Sequence, residues 1–204
     1  PRKFVLRSAI ALSLQKSVDG ERGLLAMLDR LDRHRERYPA GMTGTGLGEF
    51  GVLGEDGATV AIYFESRREP GYKAAERLGL VRMMRSQSFR AFAEALAGRK
   101  LASGWGMQVL RYGPGDYAGP HNDHHPENKD AKGGYIDLHL SLAAPGVDHQ
   151  WLVYSRAGHF SEIVSVTSPS TVTAYRLPFW HYTTPLVGTP KSGRWVLLGT
   201  FLYR

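Results

Sequence analysis

From Ala102 onward the chain breaks into short runs of Val, Leu, Tyr, Trp and Thr separated by clusters of Gly, Pro, Asn and Asp. No other feature constrains the fold as strongly. WGMQVLRY, YIDLHLSL, QWLVYS, EIVSV, TVTAYRL and RWVLLGTFLY read as strands, with HYTTPLV as another. Many short strands with frequent turns imply an antiparallel sandwich, jelly roll or barrel. In YIDLHLSL, Asp137, His139 and Ser141 alternate with Ile136, Leu138, Leu140 and Leu142, so one face is polar and the other apolar. In RWVLLGTFLY, Arg194, Val196, Leu198 and Thr200 share a face.

The first hundred residues have a different texture. Leu24, Leu25, Leu28 and Leu31 recur at helical spacing and predict an amphipathic helix from Asp19 to Tyr38, ended by Pro39 and Gly41. A glycine-rich loop from Gly41 to Gly57 leads into a strand, ATVAIYFES. Tyr72 to Lys100 reads as two helices broken near Ser86, with Ser86 or Ser88 as N-cap. The expected class is α+β, mainly β. Residues 1–204 form a single domain, in which 1–100 is a helical support region with one or two strands and 101–204 is the β core.

Composition narrows the chemistry. With no cysteine, disulfides, thiolate catalysis and sulfur-ligated metals are excluded, so any metal sits on nitrogen and oxygen. The apolar run AIALSL is too short to span a bilayer and lacks the context of a secretory signal, so the expectation is a cytoplasmic protein without a membrane partner. Of the net charge of +7, residues 1–100 carry 18 Lys and Arg against 12 Asp and Glu, and residues 101–204 carry 8 against 7. The basic excess thus lies outside the half that holds the candidate chemistry.

Seven of the eight histidines fall between positions 121 and 181. His121 and Asp123 are two apart in GPHND, so on an extended segment both side chains point to one side, as two ligands of one ion require. His181 in PFWHYTTPL is the best third ligand. Two imidazoles and a carboxylate on one face of an octahedron leave three adjacent positions open, an arrangement suited to Fe(II) oxygen chemistry.

The context of these residues is VLRYGPGDYAGPHND. Tyr112, Gly115, Tyr117, His121 and Asp123, followed by His181 and Arg194, stand in the order found in the prolyl-hydroxylase-like branch of the iron(II)/2-oxoglutarate dioxygenases. The chain resembles that family over roughly residues 105–204. The resemblance implies a double-stranded β-helix, or jelly roll, buttressed by the N-terminal helices, with His121, Asp123 and His181 holding Fe(II) at one mouth. It implies that Arg194 pairs with the distal carboxylate of 2-oxoglutarate, a contact suited to a planar guanidinium. Tyr112 would donate a hydrogen bond to the same carboxylate. The implied activity uses O2 to hydroxylate an amino-acid, peptidyl or small-metabolite C–H bond while 2-oxoglutarate becomes succinate.

Three departures bear on these roles. YTTPLVGTPKSG between His181 and Arg194 is longer than the usual family spacing, which makes Lys191 an alternative to Arg194. Tyr117 stands one place nearer His121 than in the family pattern. The strand after the HxD loop lacks the glycine-rich acidic motif of relatives that act on collagen-like prolines. His139, Tyr117 and Trp151 are candidate substrate contacts, and the loop from His124 to Gly134 is a candidate lid. Two other readings stay open: a demethylase of alkylated nucleic-acid bases in the same superfamily, and a cupin-like module binding metal or a small ligand, with Glu127 completing its motif.

Overall fold

The computed structural model describes residues 2–5, 20–34, 36–39, 58–63, 67–123, 133–167 and 171–204. The leucine stripe forms helix α1 (Gly20–Leu31), with Leu24, Leu28 and Leu31 wholly buried. The helix stops at Leu31 and does not run on to Tyr38, because the stripe has no apolar successor. A 3-10 turn (Asp32–His34) follows, and ERYP becomes a strand, β2 (Glu36–Pro39). The loop expected from Gly41 to Gly57 lies outside the described residues.

Three helices, where two were expected, occupy the next segment: α2 (Pro70–Arg77), α3 (Leu80–Met84) and α4 (Gln87–Ala97). Gly79 makes the additional break at φ 83°, a left-handed conformation that glycine adopts without steric penalty. Ser86 caps α4, its hydroxyl accepting from the Phe89 amide at 3.1 Å. No helix among the described residues is long and apolar enough to cross a membrane.

The strands are β1 (Arg2–Val5), β2, β3 (Ala58–Tyr63), β4 (Leu101–Tyr112), β5 (Ala118–His121), β6 (Tyr135–Ala143), β7 (Val147–His149), β8 (Trp151–Arg156), β9 (His159–Ser165), β10 (Thr171–Leu177), β11 (His181–Thr183), β12 (Val187–Gly188) and β13 (Arg194–Tyr203). A seven-stranded antiparallel sheet has the order β1-β10-β6-β13-β4-β3-β2, a four-stranded sheet the order β5-β11-β8-β9, and β12 pairs with β7. The first hundred residues therefore supply three strands to the larger sheet, more than expected. HYTTPLV divides between β11 and β12. From β4 to β13 the chain passes repeatedly between the two main sheets, so successive strands build opposite walls of one interior.

Side-chain parity fixes what each wall shows. On the larger sheet, Ile136, Leu138, Leu140, Leu142, Val172, Ala174, Trp195 and Leu197 pack under the helices with Leu24, Leu28, Tyr72 and Met84. The opposite parity points between the sheets, where Leu110, Val196 and Leu198 meet Ala118 and Leu186, and Tyr135, Tyr175 and Leu202 meet Leu152. The polar set Asp137, His139 and Ser141 shares this inner face with Arg194 and Thr200. Register places Val196 opposite Ser141, Leu198 opposite His139 and Thr200 opposite Asp137. The polar face of YIDLHLSL therefore lines the interior and is not a solvated surface.

Candidate metal centre

Three side chains converge at the end of the smaller sheet. His121 ends β5 and stands directly opposite His181, the first residue of β11, so a cross-strand pair brings the rings to 4.3 Å between centroids. Asp123 lies two residues beyond the strand with φ 53°, so a left-handed turn, not extended alternation, swings its carboxylate back toward both rings. Its Oδ1 is 3.6 Å from His121 Nε2 and its Oδ2 3.4 Å from His181 Nε2. The ligand atoms of the three residues all lie within 4.8 Å of one another. The Asp123 carbonyl accepts the Tyr135 hydroxyl, which ties this turn to the larger sheet.

Both imidazoles are held in the same tautomer. His121 Nδ1 donates to the Gly119 carbonyl at 2.6 Å and His181 Nδ1 to the Phe179 carbonyl at 2.9 Å. In each ring Nε2 keeps its lone pair toward Asp123, which is the outer-sphere arrangement that orients metal-bound histidines. Burial, reinforced by the neighbouring His121, pushes the His181 imidazole down to about 3, so the ring is neutral at physiological pH. A neutral imidazole is the form that binds metal. The donor set therefore fits a divalent metal taking two nitrogens and a carboxylate.

Behind the triad lies a buried polar group. The Tyr175 hydroxyl is 2.6 Å from His139 Nε2, the Tyr175 ring is 5.5 Å from that of His181, and Thr200 donates to Asp137 Oδ1 at 2.6 Å. Burial raises the Asp137 carboxyl above the usual carboxylate range, against the opposing hydrogen bond from His139. Burial also holds the Tyr175 phenol well above its ordinary value, with Asp137 adding to the shift. Tyr175 and Thr200 follow the same inward parity as His139, a signal present in TVTAYRL and RWVLLGTFLY.

Further along the inner face sits Arg194, 3% exposed. Its Nε donates to Gln150 Oε1 at 2.7 Å and its Nη1 to Ser141 Oγ at 2.9 Å, and its guanidinium carbon lies 4.7 Å from the centre of the Tyr112 ring. Among the described residues no carboxylate pairs with it. Burial lowers its pKa to about 10, which leaves it cationic at neutral pH. Burying a cation among neutral acceptors is costly unless an anion pairs with it. Lys191, the alternative weighed above, is exposed.

The other sequence candidates divide. Tyr112 is buried against Arg194, with its ring on the guanidinium. Tyr117 is buried, and burial raises its phenol. Trp151 is 39% exposed on the outer side of β8, beside His149. Residues 124–132, including most of the candidate lid and Glu127, lie outside the described residues. Gln150 and Tyr175 were not singled out in the sequence.

No known family profile and no curated protein matches the chain. Solved structures do match. The chain is similar to a 2OG-Fe(II) oxygenase family oxidoreductase from Burkholderia pseudomallei at 13% identity and a TM-score of 0.59, over 87% of this chain and 78% of that one. It is similar to the epimerase SnoN in complex with Fe3+, alpha ketoglutarate and nogalamycin RO at 18% identity and 0.52, over 90% and 76%. The alpha ketoglutarate dependent carbocyclase SnoK of nogalamycin biosynthesis aligns at 13% identity and 0.53, over 98% and 79%. The chain thus has the fold of the 2OG-Fe(II) oxygenases.

Proposed function

We propose that this protein is an Fe(II)- and 2-oxoglutarate-dependent oxygenase that uses O2 to hydroxylate a C–H bond of an amino-acid, peptidyl or small-metabolite substrate. The observation that carries the reading is the pairing of the His121, Asp123 and His181 triad with a buried, uncompensated Arg194 on the same interior. The strand order β10-β6-β13-β4 against β5-β11-β8-β9, with the chain alternating between the two, supports the double-stranded β-helix expected for this class.

His121 and His181 would hold Fe(II) through Nε2 and Asp123 through its carboxylate. When bound, the metal with 2-oxoglutarate and O2 supplies the oxidising power, while 2-oxoglutarate is converted to succinate and CO2. Arg194 fixes the distal carboxylate of the co-substrate by charge-assisted hydrogen bonds. Tyr112 shields one face of that guanidinium, and Val196 and Leu198 keep its surroundings dry, which strengthens the ion pair. His139 and Tyr175, beside His181, would contact substrate or co-substrate. Trp151, on the outer side of β8, is the weakest of the substrate candidates.

Exposed Lys73, Arg77, Arg82 and Arg85 belong to the helical layer on the far side of the larger sheet from the triad. This geometry does not favour the base-demethylase alternative. Purified protein supplied with Fe(II), 2-oxoglutarate and O2 is expected to form succinate, and His121→Ala to abolish it. Bound metal without oxygen consumption would favour the cupin-like alternative.

A further inference from the structure

Gln150 is wholly buried between β7 and β8, where a polar amide has no reason to sit unless all its hydrogen bonds are made. They are made. Its Nε2 donates to the Thr184 carbonyl at 2.9 Å and to the Asp116 carbonyl at 3.3 Å, and its Oε1 accepts from Arg194 Nε at 2.7 Å. The amide cannot be turned over. The flipped form would set oxygen against two carbonyl oxygens and nitrogen against an N–H donor.

We infer that Gln150 is the positioning residue that makes Arg194 present its terminal edge to the co-substrate, and so sets the preference for a 2-oxo acid bearing a second carboxylate. The inference rests on the co-substrate reading above. A guanidinium offers a carboxylate two bidentate edges, Nε with Nη2 or Nη1 with Nη2. Gln150 occupies Nε and removes the first. Ser141 takes one hydrogen of Nη1, and the Tyr112 ring covers a face of the plane. What remains is the terminal end of the group, both hydrogens of Nη2 and the second hydrogen of Nη1. Both side-chain acceptors are uncharged, so the cation is oriented without being neutralised and its attraction is kept for the ligand. A carboxylate at position 150 would orient it equally well and cancel that attraction.

The test compares affinities for 2-oxoglutarate and for pyruvate, a 2-oxo acid lacking the distal carboxylate, on Fe(II)-loaded protein kept free of oxygen. Wild type should prefer 2-oxoglutarate. Gln150→Glu and Gln150→Met should each lower that preference at least about tenfold, with Fe(II) affinity and pyruvate affinity within about twofold of wild type. In turnover, Gln150→Met should raise KM for 2-oxoglutarate with little change in kcat. A merely structural role would weaken both acids alike. If Gln150→Glu does not fold, Gln150→Met decides. An unchanged preference in the folded variants overturns the inference and leaves the co-substrate reading standing. A wild-type protein that binds both acids equally overturns the co-substrate reading, and the inference with it.

Discussion

His121 and His181 are bonded through Nδ1 to carbonyls two residues upstream, so the same local device sets the tautomer of both rings before any metal arrives. Removing Asp123 leaves two aligned nitrogens without the carboxylate between them. Asp123→Ala should weaken Fe(II) binding beyond the roughly 100-fold typical of losing an outer-sphere partner, as read by metal titration. His181 also makes metal-free stability depend on pH. Its imidazole titrates near 6.5 in the unfolded chain and about 3 in the folded one, so between those values the unfolded chain binds more protons. Stability is therefore present above pH 6.5 and lost as pH falls. Between pH 7 and pH 5 the loss from this group is about 2 kcal/mol, at about 1.4 kcal/mol per pKa unit. Urea midpoints should fall less over that interval in His181→Gln than in wild type; equal falls would contradict the assignment. HxD, its flanking tyrosines and Arg194 were legible as residue types in a familiar order. Gln150 was not, because only folding brings it against Arg194, 44 positions away.

At the level of elements, alternation carried most of the information. YIDLHLSL and RWVLLGTFLY each have an apolar parity that meets the helices and a parity that faces inward, and both were readable as period-two patterns. Where elements are shorter than their pattern, reading failed. β5 and β7 have only four and three residues, and they exist because neighbouring strands pair with them, while HYTTPLV was legible as a strand but not as the two short pieces β11 and β12. The helical layer meets β13 at Gly199, where an added Cβ would come within 2.9 Å of Phe89 Cε1 on α4. Gly199→Val should therefore lower stability by about 1–3 kcal/mol through overpacking. Ser86→Ala, which removes the cap of the same helix, should lower it by about 1 kcal/mol. Thermal unfolding of the two variants would rank them, and a neutral Gly199→Val would contradict the close packing of α4 on β13.

Over the whole molecule, the helices back one face of the larger sheet and the two sheets enclose the polar interior on the other. The triad stands on the smaller sheet and Arg194 on the larger, so closing the two walls on each other assembles the site. That closure depends on pairings far apart in sequence, which explains why the strands were legible singly while their order was not. The central claim is that metal and co-substrate are held by separate groups on opposite walls. It is tested most directly by titrating Fe(II) and then 2-oxoglutarate, without oxygen, into wild type, Asp123→Ala and Arg194→Met. The account predicts that Asp123→Ala loses the metal, while Arg194→Met keeps it and binds 2-oxoglutarate at least about 30-fold more weakly, the 2 kcal/mol or more expected when a buried charge pair is broken. Arg194→Met binding 2-oxoglutarate as wild type does, or Asp123→Ala retaining the metal, would contradict it.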